Sequence, residues 1–289
     1  MIIVELITVI EYNNVARGGI MSNILEINNL NYKYGKTTVF KNFNLSVEEG
    51  RYIGVAGSNA SGKTTLIKLI SGILPSCDSI MVGYSYVNSN RIHDHSRDFG
   101  VVFGQNLNCF LFDDVYKEMA FPLENLNLDV SEIEKTILDT ASSFKINKLL
   151  DKKIIDLTNS EKQQLLIAIA TLHKPKILLL DSAFTMMDRK TKKQIKDTLI
   201  NYKKSFNITI IETTSNLEDV VDSDYLYVIG NGGILIEGKP LVVFREDSLL
   251  TRIGLALPFM VDLSLKLEFY ELLDHIETDV YRMVDDLWK

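Results

Sequence analysis

Gly57-Ser58-Asn59-Ala60-Ser61-Gly62-Lys63-Thr64 has the spacing GxxxxGK[ST]. Two glycines let the backbone curl until its N–H groups face the β- and γ-phosphates of a nucleotide. Lys63 adds a point charge, the Thr64 hydroxyl can bind Mg²⁺, and Thr65 carries the loop onward. A second string supplies the companion group. Ile177-Leu178-Leu179-Leu180-Asp181 reads as a buried strand whose terminal carboxylate can hold Mg²⁺ through water. ATP with Mg²⁺ is the ligand that these residue types expect.

Such a loop needs a strand before it and a helix after it, so that the positive end of the helix faces the anion. Residues 51–56 form a short, mostly apolar run feeding a glycine, and 64–74 carry apolar residues at helical spacing. Upstream, 25–34 and 39–47 alternate apolar and polar residues as half-buried strands do. Downstream, 113–150 is mostly helical with a break around Pro122, and 160–172 and 189–202 are helices. Residues 208–211 and 225–229 are further strands, and short helices follow Pro240. Alternating strands and helices imply an α/β fold with a parallel sheet. The helical stretch that interrupts them reads as a subdomain.

A chain of 289 residues with 46% apolar and 24% charged residues can bury a full core, as one large domain or a domain with an appendage. The net charge of -7 disfavours nucleic acid as a partner. Cys77 and Cys109 form no CxxC pair, which argues against a zinc site and for a reducing cytosol. No apolar run approaches the roughly 20 residues that span a bilayer. Residues 1–20 lack the features of a signal peptide. They read as a non-native or disordered extension, translated upstream of a second start at Met21, the alternative being an extra strand.

Taken together, these motifs resemble the ATP-binding subunits of ABC transporters. The resemblance is sharper to the energy-coupling-factor branch, which serves vitamins and metal ions. Ala120-Phe121-Pro122-Leu123-Glu124-Asn125 looks like its AFGxEN segment, and Ile253-Gly254-Leu255-Ala256-Leu257-Pro258-Phe259 like its IGLDxPF segment. Glu237-Gly238-Lys239-Pro240 with Val243-Phe244 is similar to EGTPxEVF. The resemblance implies a P-loop NTPase of the ABC ATPase fold, with a RecA-like core. It places the ATPase domain at 22–240, the helical subdomain at about 106–172 and a small helical extension at 241–289. It also implies that Tyr34 stacks on adenine.

Several positions depart from the family pattern. The glutamate that polarises the attacking water is replaced by Ser182, and the switch histidine by Ser215. Glu212 lies three residues away on a strand, which points it to the opposite face. The LSGGQ signature reads Leu157-Thr158-Asn159-Ser160-Glu161, where two larger residues crowd a phosphate approach and Glu161 can add negative charge. Lys162-Gln163-Gln164 keeps the register. In the glutamine loop Val101-Val102-Phe103 is followed by Gly104 and then Gln105: either Gln105 has shifted by one with a compensating deletion or Gly104 fills the slot, and Gln105 is the expected Mg²⁺ and water contact. Asp188 fits both the D-loop aspartate and a helix N-cap.

The family works as head-to-tail pairs, each ATP lying between one chain's phosphate loop and the other's signature. The expected partners are therefore a second ABC ATPase subunit in a heterodimer, a transmembrane scaffold subunit and a substrate-binding membrane subunit. The chain then lies peripherally on the cytoplasmic face of the cell membrane. A non-hydrolysing regulatory or structural pseudo-ATPase is the alternative, and a soluble ABC protein of translation or DNA repair a third. Phe110-Leu111-Phe112 bears on the choice, because neither a helix nor a strand buries three consecutive large apolar residues against one face. An apolar groove near 105–121 is expected to receive a coupling helix of the scaffold.

Overall fold

A computed structural model describes residues 23–75, 79–83, 85–86 and 97–288. The expectation for residues 1–20 and the thiol of Cys77 lie outside the described residues. Two sheets form. In the first, β1 (Asn23–Tyr34) pairs antiparallel with β2 (Thr37–Glu48) and with β4 (Ile80–Val82), which carries β5 (Ser85–Tyr86). The second contains β3 (Tyr52–Ala56), β6 (Phe99–Phe103), β7 (Ile177–Asp181), β8 (Thr209–Thr214), β9 (Tyr225–Gly230) and β10 (Gly233–Gly238). Its order is β10-β9-β3-β8-β7-β6, parallel from β9 to β6 and antiparallel at β10. The expected parallel sheet is there. The antiparallel sheet and β10 were not separable by pattern, because alternation does not say which strands pair.

Side-chain parity divides the core. β3, β7 and β8 are buried along their whole length, so successive residues enter opposite layers. Ile53, Val55, Ile177, Leu179 and Ile211 pack with α1 (Lys63–Ile70) and the antiparallel sheet. Tyr52, Leu178, Leu180 and Ile210 face the other way. There they meet α2 (Val115–Glu124), α3 (Val130–Ser143), α4 (Asn159–Thr171) and α5 (Arg189–Phe206). α1 sits between the sheets through Leu66, Ile67, Leu69 and Ile70, all fully buried. That fixes the start of the helix, and the loop before it, against the ends of the strands.

Boundaries differ from the sequence pattern at the end of α1 and around Pro122, and α5 runs on to Phe206. α1 ends at Ile70 rather than near residue 74, because Gly72 turns left-handed (φ 75°) and the Leu74 N–H closes onto the Lys68 carbonyl at 2.9 Å. Pro122 lies inside α2 instead of breaking it. Its ring removes one ladder bond, but Met119, Ala120 and Leu123 are buried around it and Asn125 N–H again reaches the Phe121 carbonyl at 3.2 Å. The break falls at 125–129, where Asn127 has φ 56°.

α6 (Pro240–Val243), α7 (Asp247–Arg252), α8 (Phe259–Phe269) and α9 (Val280–Leu287) follow the sheet. Val243, Phe244, Leu250, Leu255 and Val261 join Ala56, Leu226 and Val228 in a third core cluster. The carboxy-terminal helices thus lean on the strand that feeds the phosphate loop.

Candidate nucleotide-binding site

The loop after β3 curls as its sequence demands. Gly62, the N-cap of α1, has φ 103°, and Ala60 is also left-handed at φ 64°. A Cβ at Gly57 would stand 2.7 Å from the Ile229 carbonyl of β9 and 2.4 Å from Ser61 Oγ, so only glycine fits. No side chain caps α1. Its first N–H groups, on Lys63, Thr64 and Thr65, therefore point from the helix end toward whatever the loop encloses. Lys63 is buried, and its Nζ donates to the Gly57 carbonyl (2.7 Å) and the Ser58 carbonyl (2.8 Å). Burial lowers the proton affinity of its amine, partly opposed by the charge of Asp181. A desolvated ammonium held by neutral partners, the two carbonyls and the Ser61 hydroxyl at 3.5 Å, suits an anion arriving beside it.

Asp181 closes the other side. It has the parity of Ile177 and Leu179, which aims it at α1. Thr64 Oγ1 donates to Asp181 Oδ2 at 2.7 Å, and Thr213 Oγ1 to Oδ1 at 2.6 Å. Chemically, an oxygen-only pair of hydroxyl and carboxylate next to a cationic loop suits a hard divalent cation on a polyphosphate. Thr213 was not singled out from sequence. The signal lay in the alternation of β8, where Thr213 shares the face of Ile211.

Glu212 shows the same rule from the other side. It is fully buried among α5 and β3, away from Asp181. Lys196 Nζ reaches its Oε2 at 3.0 Å and Oε1 at 3.3 Å, and Tyr52 donates its phenol to Oε2. Burial raises the pKa of Glu212, with Lys196 opposing. The strand offset had pointed it to the opposite face, and that is where it lies.

The hydrolytic edge is built differently. Ser182 follows Asp181 with φ 52°, its N–H on the Thr213 carbonyl at 2.9 Å. The end of β6 presses against it: Gly104 N–H donates to the Asp181 carbonyl at 2.8 Å, and a Cβ at Gly104 would meet Ser182 O at 2.1 Å. Gly104 therefore holds its slot by close approach, and Gln105 stands one residue further on, exposed, in the turn. Ser215 is exposed just beyond β8. Among the described residues, no carboxylate or imidazole hydrogen-bonds to Ser182 or Ser215.

Leu157–Glu161 opens α4. Thr158 is its N-cap and forms a capping box: Glu161 N–H donates to Thr158 Oγ1 (3.2 Å), and Thr158 N–H to Glu161 Oε2 (2.8 Å). Lys152 Nζ lies 3.3 Å from Glu161 Oε1. The backbone N–H of Thr158, with Lys152 adding, keeps the Glu161 carboxyl below its usual range. Its charge is thus matched within the loop, by the Thr158 N–H and Lys152. T-x-x-E was readable in the sequence as a helix start. Asn159 and Ser160 occupy the first helical turn, Leu157 is buried, and no hydrogen bond among the described residues joins this loop to the phosphate loop. Gln163 links the remaining pieces. Fully buried, it donates to the Gly104 carbonyl at 2.9 Å and accepts from Met186 N–H at 3.0 Å. Asp188 caps α5, accepting from Lys190 and Thr191 N–H at 3.0 Å each, with its carboxyl held low chiefly by the Thr191 hydroxyl. Tyr34 is 48% exposed at the end of β1, edge-on to Tyr32, rather than packed into the core.

Known proteins share this arrangement. The ABC transporter family matches residues 40–185. An energy-coupling factor transporter ATP-binding protein of Ligilactobacillus salivarius is 32% identical over 82% of this chain and 85% of its own length. One from Clostridioides difficile is 31% identical over 84% and 90%. A solved structure of cbiO1 from Clostridium perfringens, described as part of the ABC transporter complex cbiONQ, superposes with a TM-score of 0.71 at 29% identity, covering 82% of this chain and 96% of that one. A phosphate loop on an uncapped helix, a carboxylate held beside it at the end of a parallel strand and these relatives agree: the chain belongs to the ABC transporter family, as an ATP-binding subunit of the energy-coupling-factor type.

Proposed function

We propose that this chain binds Mg²⁺–ATP in the loop from Gly57 to Thr65 and hydrolyses it poorly, as one half of an ATPase heterodimer that drives an importer of a vitamin or metal ion. Lys63 and the N–H groups of α1 hold the phosphates, Thr64 and Asp181 hold the ion, and Tyr34 lies against the adenine. Magnesium, when bound, supplies charge neutralisation at the phosphates. Gln105 contacts the ion and its water from the turn after β6.

The observation that carries the reading is the pair Ser182 and Glu212. Ser182, a neutral hydroxyl at the base position, cannot accept a proton at neutral pH. The nearest acid along β8, Glu212, is buried on the far face and engaged by Lys196 and Tyr52. Ser215 brings no imidazole to the γ-phosphate. A missing general base costs roughly 10²- to 10⁴-fold. The partner subunit then performs most of the hydrolysis, while this chain contributes binding and closure.

The domain plan follows the family: an ATPase domain over 22–240, with a helical subdomain at about 106–172, and a carboxy-terminal extension over 241–289. The Clostridium perfringens neighbour belongs to a transporter complex, and by that likeness this chain sits on the cytoplasmic face of a membrane, under a transmembrane scaffold and a substrate-binding subunit. No helix among the described residues is long and apolar enough to cross a membrane. Leu111 is 69% exposed, with Phe112 and Tyr116 partly exposed beside it. These side chains offer the scaffold an apolar seat, and Leu111→Asp should release the chain from scaffold-containing membranes while ATP binding persists; unchanged membrane association would argue against that seat.

Phosphate release tests the central claim. The purified chain should turn over ATP near background, and its complex with a second ATPase subunit should turn over readily. Brisk release from the chain alone would overturn the reading. Silence in every reconstituted pair would favour the pseudo-ATPase alternative.

A further inference from the structure

The segment between α8 and α9 gathers a histidine and carboxylates that the nucleotide site does not use. Ligating atoms of His275, Glu277 and Asp286 all lie within 4.8 Å of one another. His275 Nε2 is 3.3 Å from Asp286 Oδ2 on α9, and Nδ1 is 2.7 Å from Asp274 Oδ1. With Nδ1–H donated to Asp274, the neutral ring turns the lone pair of Nε2 toward the other two acids. A carboxylate behind the imidazole in this way fixes tautomer and ring orientation, as the outer partners of metal-bound histidines do. Glu277 is anchored too. The hydroxyl of Ser264, fully buried on α8, accepts from Glu277 N–H (3.0 Å) and reaches its carbonyl (2.9 Å). Glu277 Oε1 accepts from Thr278 and Asp279 N–H at 2.7 and 2.8 Å, so its other oxygen is the one it can offer.

An open pocket of about 480 Å³ borders the cluster at His275 and Asp286, its walls shared by acidic Glu268, Glu271 and Asp274 and by Leu272 and Leu273. Glu268 on its rim is held by Arg245, which donates to both of its oxygens at 3.0 and 3.1 Å. Atoms bound tetrahedrally at about 2.0–2.1 Å stand roughly 3.3 Å apart. The His275–Asp286 separation already has that value, and Glu277, within 4.8 Å of both, needs to close in by about 1.5 Å at most.

We propose that His275, Glu277 and Asp286 form a site for a divalent transition metal of the zinc class, with one coordination position open to the pocket. One nitrogen and two carboxylate oxygens suit such an ion better than Mg²⁺ or Ca²⁺, which prefer oxygen alone. The site ties α9 to the 270–279 segment. α9 otherwise buries only Met283 of its own residues.

Zn²⁺ titrated calorimetrically into the full chain without nucleotide tests this, with the histidine ring signals followed by NMR. One Zn²⁺ should bind per chain and shift the His275 ring. His275→Ala should weaken binding at least tenfold, and Asp274→Asn, which keeps all three ligands, by about 10- to 100-fold. Glu271→Gln removes an equal charge from the same pocket and should change affinity less than about twofold. Should His275→Ala melt the extension, Glu277→Gln replaces it. Equal losses in Asp274→Asn and Glu271→Gln would reduce the cluster to an acidic patch. An unmoved His275 ring would leave an imidazolium bridging carboxylates only. Either result overturns the proposal.

Discussion

The phosphate loop and the hydrolytic edge lie on the same sheet, at the carboxyl ends of β3 and of β7 with β6, with β8 between them, yet they are finished differently. Around Lys63 the polar groups are placed for a nucleotide: the two loop carbonyls on Nζ can give way to phosphate oxygens, the first N–H groups of α1 carry no side-chain cap, and Thr64 and Thr213 hold Asp181 in position. Across the sheet ends, Ser182 and Gly104 are fitted to each other instead, backbone against backbone. The first region is organised to receive an anion. The second is closed on itself. A binding site survives such closure, whereas catalysis requires a base and a positioned water.

The sharpest way to break the comparison is at Lys63. Lys63→Ala removes a charge-assisted contact worth about 1.5–3 kcal/mol, so calorimetric ATP affinity should fall on the order of 10- to 150-fold. Unchanged affinity would mean that the loop is as idle as the hydrolytic edge. Next comes the contact at Gly104. A methyl there meets Ser182 O, Ser182 C and Ala183 Cα within 3 Å, all of them backbone atoms that cannot swing away. Gly104→Ala should cost about 1–3 kcal/mol in denaturant unfolding. A neutral result would show that the two loops separate easily, and that a glutamine could be restored in that slot.

The capping box at the start of α4 should give a smaller effect. Thr158→Ala removes the cap and should cost about 1 kcal/mol. The pH dependence has a defined sign. Glu161 has its carboxyl held below the usual range in the folded state, first by the Thr158 N–H. Its contribution is present above the unfolded carboxylate value, about 4.3, and is lost as pH falls through the lower folded one. Acid unfolding curves of wild type and Glu161→Gln should converge in that window.

How much of this could be read beforehand depended on the range of the interaction. The phosphate loop is a local string, and strand parity placed Glu212 on the wrong face for catalysis with no structure at all. The same alternation puts Thr213 on the opposite face, beside Asp181, but a threonine in a buried strand reads as packing. The T-x-x-E box was equally local and was read instead through its family role. By contrast, Gly104 against Ser182 depends on the β6–β7 register, which pairs Phe103 with Asp181 across more than seventy residues. No spacing in the chain announces it. Pro122 was misjudged for a related reason: local stereochemistry predicts a break, and burial of its neighbours outweighs it.

The smallest expected effect is also the one that joins both regions. Ser182→Glu restores a base beside Asp181, and a base acting alone can be worth roughly 10²- to 10⁴-fold. That value presumes a water held in line with the γ-phosphate. Here Ser215 offers no imidazole to hold it, and the backbone at 182 is left-handed (φ 52°), which aims the side chain by strain. In addition, on the proposed reading Asn159 and Ser160 put side chains where a closing partner would need bare backbone. Groups that act as a unit are non-additive, so restoring one recovers little. Single-turnover phosphate release from Ser182→Glu should therefore rise by less than about tenfold, with ATP affinity unchanged. A rise of a hundredfold would show that the water is already positioned. The hydrolytic edge would then lack one residue rather than a whole arrangement, and the contrast between the two regions would shrink to a single side chain.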